Sequence, residues 1–124
     1  MGRNVNNKEI GNEFEKEFCE LLKQEGYWVH FITPDKRGAQ PFDVIAAKDN
    51  KPYAFDCKTN AGKWFSLSRL EDNQVMAFEK WTECGNGTPF IAVKYKEKIF
   101  CIPYLKVKYD GKVDLENCEV YRWE

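Results

Sequence analysis

The chain has 124 residues, of which 43% are hydrophobic, 15% aromatic and 31% charged. That is enough for one soluble domain with its own core, spanning 1–124, and too little for two. No apolar run approaches the roughly 20 residues that cross a bilayer, and the opening stretch MGRNVNNKEIGNEFEKEF has no apolar segment of the kind a secretory leader needs. Five cysteines (Cys19, Cys57, Cys84, Cys101, Cys118) are odd in number and lack C-x-x-C spacing. This argues against a disulfide framework or a structural zinc site, and for a reducing cytoplasm.

Nineteen basic residues against twenty acidic ones leave a net charge of −1, which does not by itself advertise a nucleic-acid partner. The distribution says more. Lys36, Arg37, Lys48, Lys51, Lys58, Lys63 and Arg69 outnumber Asp43, Asp49 and Asp56 between positions 36 and 69, and five lysines face Glu97 alone between 94 and 108. A near-neutral sum can therefore hide a basic face, although scattered surface lysines would look the same.

In chain order, residues 8–25 read as a helix, with Ile10, Phe14, Phe18, Leu21 and Leu22 at three- and four-residue steps and Gly26 as its stop. YWVHFI (27–32) reads as a strand, followed by a basic turn-rich loop. PFDVIAA and PYAFDCK flank Asp49-Asn50 as a hairpin, and TNAGKW reads as loop. Ser68-x-x-Glu71 has the form of a capping box, predicting a helix through Trp81 that Gly85 ends. PFIAVKY and KIFCIPY predict two more strands. Beyond about residue 104, with its Asp110-Gly111 turn, a short edge hairpin or an irregular tail is expected. The order α-β-β-β-α-β-β predicts an α/β domain with one small mixed sheet flanked by helices.

The hairpin carries the chemistry. With its turn between Asp49 and Asn50, antiparallel partners sum to 99, so Asp43 faces Asp56 and Lys58 follows on the same side. Two carboxylates at that spacing repel and raise a pKa unless a cation lies between them. Oxygen donors favour Mg²⁺ or Mn²⁺, which can acidify water and neutralise charge on a phosphate undergoing attack. A lysine beside them can orient the water or stabilise developing phosphate charge. A one-residue slip in register would send the two acids to opposite faces.

Pro41-Phe42-Asp43, twelve intervening residues, then Asp56-Cys57-Lys58 resembles the PD-(D/E)xK nuclease signature, with the proline one position early. Gly11-Asn12-Glu13-Phe14-Glu15 is similar to the G-x-x-x-E start of the first helix in the Holliday-junction-resolvase branch. Phe65-Ser-Leu, Asn73-Gln74, Phe78 and Pro89-Phe-Ile-Ala-Val resemble later elements of RecU-like resolvases. The likeness covers roughly 8–104 and has no room for the RecU stalk, so the compact archaeal resolvases fit the length better.

This resemblance implies a restriction-endonuclease-like core with a mixed sheet of about five strands. It implies a Mg²⁺-dependent endonuclease, Mn²⁺ substituting, that acts on branched or junction DNA as a homodimer. Asp43 and Asp56 are then metal ligands and Glu15 completes the site, bordering the apolar stripe of its helix. Lys58 handles the attacking water. Lys36, Arg37, Lys63, Arg69 and Gln74 are candidate DNA contacts, Gln74 alternatively bonding a metal ligand or nearby backbone. Two other readings share these residues: a flap-, end- or duplex-specific nuclease, and a non-catalytic DNA-binding module. His30, the lone histidine, reads as packed or half-exposed rather than as a base. Trp28, Trp64, Trp81 and Trp123 read as core or rim aromatics, Trp64 being the one in a basic loop.

Overall fold

In the computed structural model, which describes residues 7–33 and 40–117, the first helix α1 spans Asn7–Gln24. Phe14, Phe18, Cys19 and Leu22 form its buried stripe. Gly26 ends it at φ +92, while Gly26 N–H bonds Lys23 C=O and Tyr27 N–H bonds Leu22 C=O. This pair of bonds closes a helix end only through a left-handed residue, which glycine adopts without strain.

Strands β1 (Trp28–Phe31), β2 (Val44–Lys48) and β3 (Lys51–Thr59) form an antiparallel meander. Asp49 and Asn50 both take positive φ (52 and 64), the conformation of the two-residue turn whose twist matches its strands. After β3 the chain makes a short strand β4 (Trp64–Ser66), a 3-10 turn (Leu67–Arg69) and helix α2 (Asp72–Glu83). It then returns as β5 (Phe90–Tyr95), parallel to β3, because parallel neighbours need a crossover of this length. β6 (Lys98–Pro103) pairs antiparallel with β5. The sheet order is β1-β2-β3-β5-β6, so β3 is central and mixed, as the predicted fold class requires.

The structure differs from the sequence reading in two places. The helix expected to start at Ser68 starts at Asp72, after Glu71. Ser68 N–H bonds the Ser66 hydroxyl instead, and that local bond winds the 3-10 turn. The cap lies three residues later, where Gln74 Oε1 accepts from Glu71 N–H. The expected tail contains a helix, α3 (Tyr104–Asp110), then β7 (Lys112–Asp114), which pairs with β4 as a separate two-stranded ribbon. The segment read as loop at 59–64 likewise ends inside β4.

Helix α1 covers one face of the sheet, packing on Val44, Ala46, Phe55, Cys57, Ala92 and Cys101. Against the other face pack α2, α3 and the ribbon, through Phe78, Tyr104, Val107, Phe65 and Val113 on Ala54, Ile91, Val93 and Ile102. Phe42 stacks on Phe78 with centroids 5.4 Å apart, meets Trp81 edge-on at the same distance, and so anchors the residue before Asp43. Among the described residues no helix is long and apolar enough to cross a membrane.

Candidate active site

Alternation along β3 puts Phe55 and Cys57 into the α1 side of the core and sends Asp56 and Lys58 to the other face. The β2–β3 ladder has the expected register, its partners summing to 99 from Lys48–Lys51 to Val44–Phe55. The expected step beyond, Asp43 paired with Asp56, does not occur. Asp43 N–H bonds Phe55 C=O instead, and Asp43 Oδ2 accepts the Cys57 N–H at 2.8 Å. The carboxylate takes the place of a ladder carbonyl, so the strands part at this point and Asp43 stays beside Asp56 without being its ladder partner.

Asp56 is completely buried. Its Oδ1 accepts from Gln74 Nε2 at 2.9 Å. Its Oδ2 lies 3.4 Å from Lys58 Nζ but out of line for a hydrogen bond, and has no hydrogen-bond partner. Burial, then the neighbouring Asp43 charge, drives the Asp56 pKa well above the ordinary carboxylate range, and Lys58 offsets only part of this. Glu15 enters from α1, which packs on the opposite face. Burial first, then Asp43, raises its pKa to about 7, with Lys58 pulling the other way. Glu15 and Asp56 thus both feel the charges of Asp43 and Lys58.

The predicted residues divide. Asp43, Asp56 and Lys58 come together, and Glu15 lies within reach of the Asp43 and Lys58 charges. Its neighbours on α1 do not join them: Glu17 is bound to Lys94 at 2.6 Å, and Glu13 is exposed. Gln74, expected among the DNA contacts, has both ends of its amide engaged inside the protein, one on Asp56 and one on the α2 backbone. Arg69 is exposed but donates to Thr59 C=O at 3.0 Å and to Asn60 Oδ1, tying down the connection after β3. Lys63 is exposed. Lys36 and Arg37 lie outside the described residues. His30 is exposed and stacked on Trp28. Of the tryptophans expected at core or rim, Trp28 and Trp64 are exposed, Trp81 packs against the core, and Trp123 lies outside the described residues.

The donor set suits a hard divalent cation. A buried carboxylate oxygen without a hydrogen-bond partner, beside a second carboxylate, is short of positive charge. Among the described residues no three acidic, histidine or cysteine side chains are grouped so that they could hold a metal ion together. A cation here would rest on one or two carboxylates and keep most of its waters, as Mg²⁺ commonly does.

Adjacent segments of a mixed sheet bring Asp43 beside Asp56 and Lys58, the order of residues in the PD-(D/E)xK pattern. The model of the archaeal Holliday junction resolvase (Hjc) family matches residues 6–119. The chain belongs to that family, and is a junction-resolving DNA endonuclease. It is 29% identical over 96 residues to the crossover junction endodeoxyribonuclease Hjc of Methanocaldococcus jannaschii, covering 77% of this chain and 67% of that one. It is also 29% identical over 121 residues to the crossover junction endodeoxyribonuclease Hje of Sulfolobus acidocaldarius, covering 90% and 85%. The crystal structure of Archaeoglobus fulgidus Hjc has the same fold, with a TM-score of 0.64, 18% identity and 88% of each chain covered.

Proposed function

We propose that this protein cuts four-way DNA junctions with Mg²⁺, Mn²⁺ substituting, and that Asp43, Asp56, Glu15 and Lys58 form its catalytic site. The observation that carries this reading is the fully buried Asp56 Oδ2, which has no hydrogen-bond partner, beside Asp43 and 3.4 Å from Lys58 Nζ.

Asp43 and Asp56 are the metal ligands, with Glu15 reaching the ion directly or through water. When bound, the ion lowers the pKa of a water and draws charge from the phosphate. The protein's own groups do the rest. Gln74 holds Asp56 Oδ1 and the Cys57 amide holds Asp43 Oδ2, so both carboxylates keep their aim without help from substrate. Lys58 Nζ orients the attacking water and stabilises charge that develops on a phosphate oxygen. The water oxygen bonds to phosphorus as a P–O ester bond breaks, and the departing oxygen takes up a proton.

A junction needs two symmetric nicks, which supports a two-fold homodimer. The test is labelled four-way junction mixed with equimolar linear duplex, in Mg²⁺ or EDTA. Preferential junction cutting that EDTA abolishes is expected. Equal cutting of both DNAs favours the duplex- or flap-specific reading, and binding without cutting favours the non-catalytic module.

A further inference from the structure

The β4–β7 ribbon has an inner and an outer face. Phe65 and Val113 point inward and are buried, so alternation places Trp64, Ser66, Lys112 and Asp114 outward. Trp64 is 48% exposed. Two ammonium groups lie over its ring, Lys112 Nζ at 4.5 Å and Lys63 Nζ at 5.6 Å from the centroid. Among the described residues neither forms an ion pair, whereas Lys94, Lys96, Lys106 and Lys108 all do.

The ribbon is firmly held. Asn60 Nδ2 donates to Gly62 C=O at 2.7 Å and Trp64 C=O at 2.9 Å, Arg69 braces Asn60 from behind, and Leu115 N–H bonds Lys63 C=O. It also packs on the side of the sheet that bears Asp56 and Lys58. Trp64 follows Lys58 by six residues.

Resting on the junction-nuclease reading above, we propose that Trp64, Lys63 and Lys112 form a contact surface for a DNA strand with an unstacked base. The two ammoniums take successive phosphates, and the indole they release stacks against a base face exposed at a branch point. A fully stacked duplex offers the phosphates but no such face. The surface therefore separates branched from linear DNA, while the carboxylates do the cutting. Stacking is tolerant of base identity, because every base has a π-face, so this discrimination reads structure and not sequence.

Binding of fluorescent four-way junction and linear duplex is measured in EDTA across a salt series, for the wild type, Trp64→Ala, Trp64→Phe and the double variant Lys63→Gln/Lys112→Gln. Trp64→Ala is expected to weaken junction binding roughly tenfold and leave duplex binding within about twofold. Trp64→Phe retains most of the junction affinity. The double variant weakens binding to both DNAs and lowers the salt slope by about 1–2. Should Trp64→Ala fail to fold, the emission difference between wild type and Trp64→Phe isolates the Trp64 ring, whose fluorescence is quenched by junction but not by duplex.

Equal effects of Trp64→Ala on both DNAs, an unchanged salt slope, or no quenching overturns the proposal. Wild-type cleavage in Mg²⁺ is scored in parallel. A protein that cuts junctions while its variants bind normally loses only this surface, whereas one that cuts none loses the nuclease reading.

Discussion

Asp56 has no exposure, an oxygen without a hydrogen-bond partner and a second carboxylate beside it, an arrangement that folding alone disfavours. Asp56→Asn is expected to reduce Mg²⁺-dependent junction cleavage by about 100-fold or more, without lowering the melting temperature of the metal-free protein at about pH 8. Cleavage equal to wild type would place the activity elsewhere. Asp56 and Glu15 both hold protons more tightly in the folded chain, Glu15 with a pKa moved from 4.5 to about 7. Their contribution to stability is complete below the unfolded value and fades as pH rises through the folded one. In EDTA the melting temperature should therefore fall between about pH 4.5 and about pH 7 as Glu15 ionises. Mg²⁺ should restore it at the upper end, and Glu15→Gln should flatten the slope. A flat wild-type profile would contradict the coupling of these carboxylates. That Asp43 lies beside Asp56 was legible from the turn residues, because a two-residue turn determines the register as far as Val44–Phe55. The parting of the strands at Asp43 was not, since it depends on a carboxylate replacing a carbonyl as the acceptor for Cys57 N–H.

Among the elements, α2 connects core and site. Phe78 packs between Phe42 and Tyr104, while Gln74 bonds both the helix start and Asp56. Phe78→Ala should cost about 3–5 kcal/mol by leaving a cavity. Gln74→Ala should cost about 1–2 kcal/mol and, in addition, lower cleavage, a pair of effects that urea melts and rate assays separate. Normal cleavage by the folded Gln74→Ala protein would show that Asp56 does not need this support. The helix start was misplaced in the sequence reading because Ser68-x-x-Glu71 and Glu71-x-x-Gln74 both offer capping chemistry. Pairing of β4 with β7, more than forty positions later, draws Ser66–Arg69 into a 3-10 turn and leaves the second. Helix α3 escaped for a related reason. Seven residues with Tyr104 and Val107 as the buried pair are too short to display a helical period, and Tyr104 is settled by packing on Phe78 and by its bond to Glu79.

At the scale of the whole molecule, the lysine-rich stretch from 94 to 108 does not form a free basic face. Lys94 pairs with Glu17, Lys96 with Glu116, Lys106 with Asp110 and Lys108 with Glu79, so acids, three of them from other segments, neutralise most of it. Phosphate attraction then falls to a few lysines, which the proposed two-fold dimer would double for a chain of net charge −1. Sedimentation should therefore show a species of twice 14.6 kDa at micromolar concentration. A monomer under the conditions of cleavage would contradict the paired-nick arrangement.

Local chemistry was enough to set much of this protein. Period-two and period-four patterning, the Asp49-Asn50 turn and the Gly26 stop act over a few residues, so they could be read in order and led to the sheet, the first helix and the Asp43–Asp56–Lys58 cluster. Tertiary structure alone decided the rest: which lysines are neutralised, where α2 begins, that the tail returns to pair with β4, and that Gln74 turns inward to Asp56. Most of those outcomes join groups far apart in sequence, and such groups meet only once the sheet brings them together.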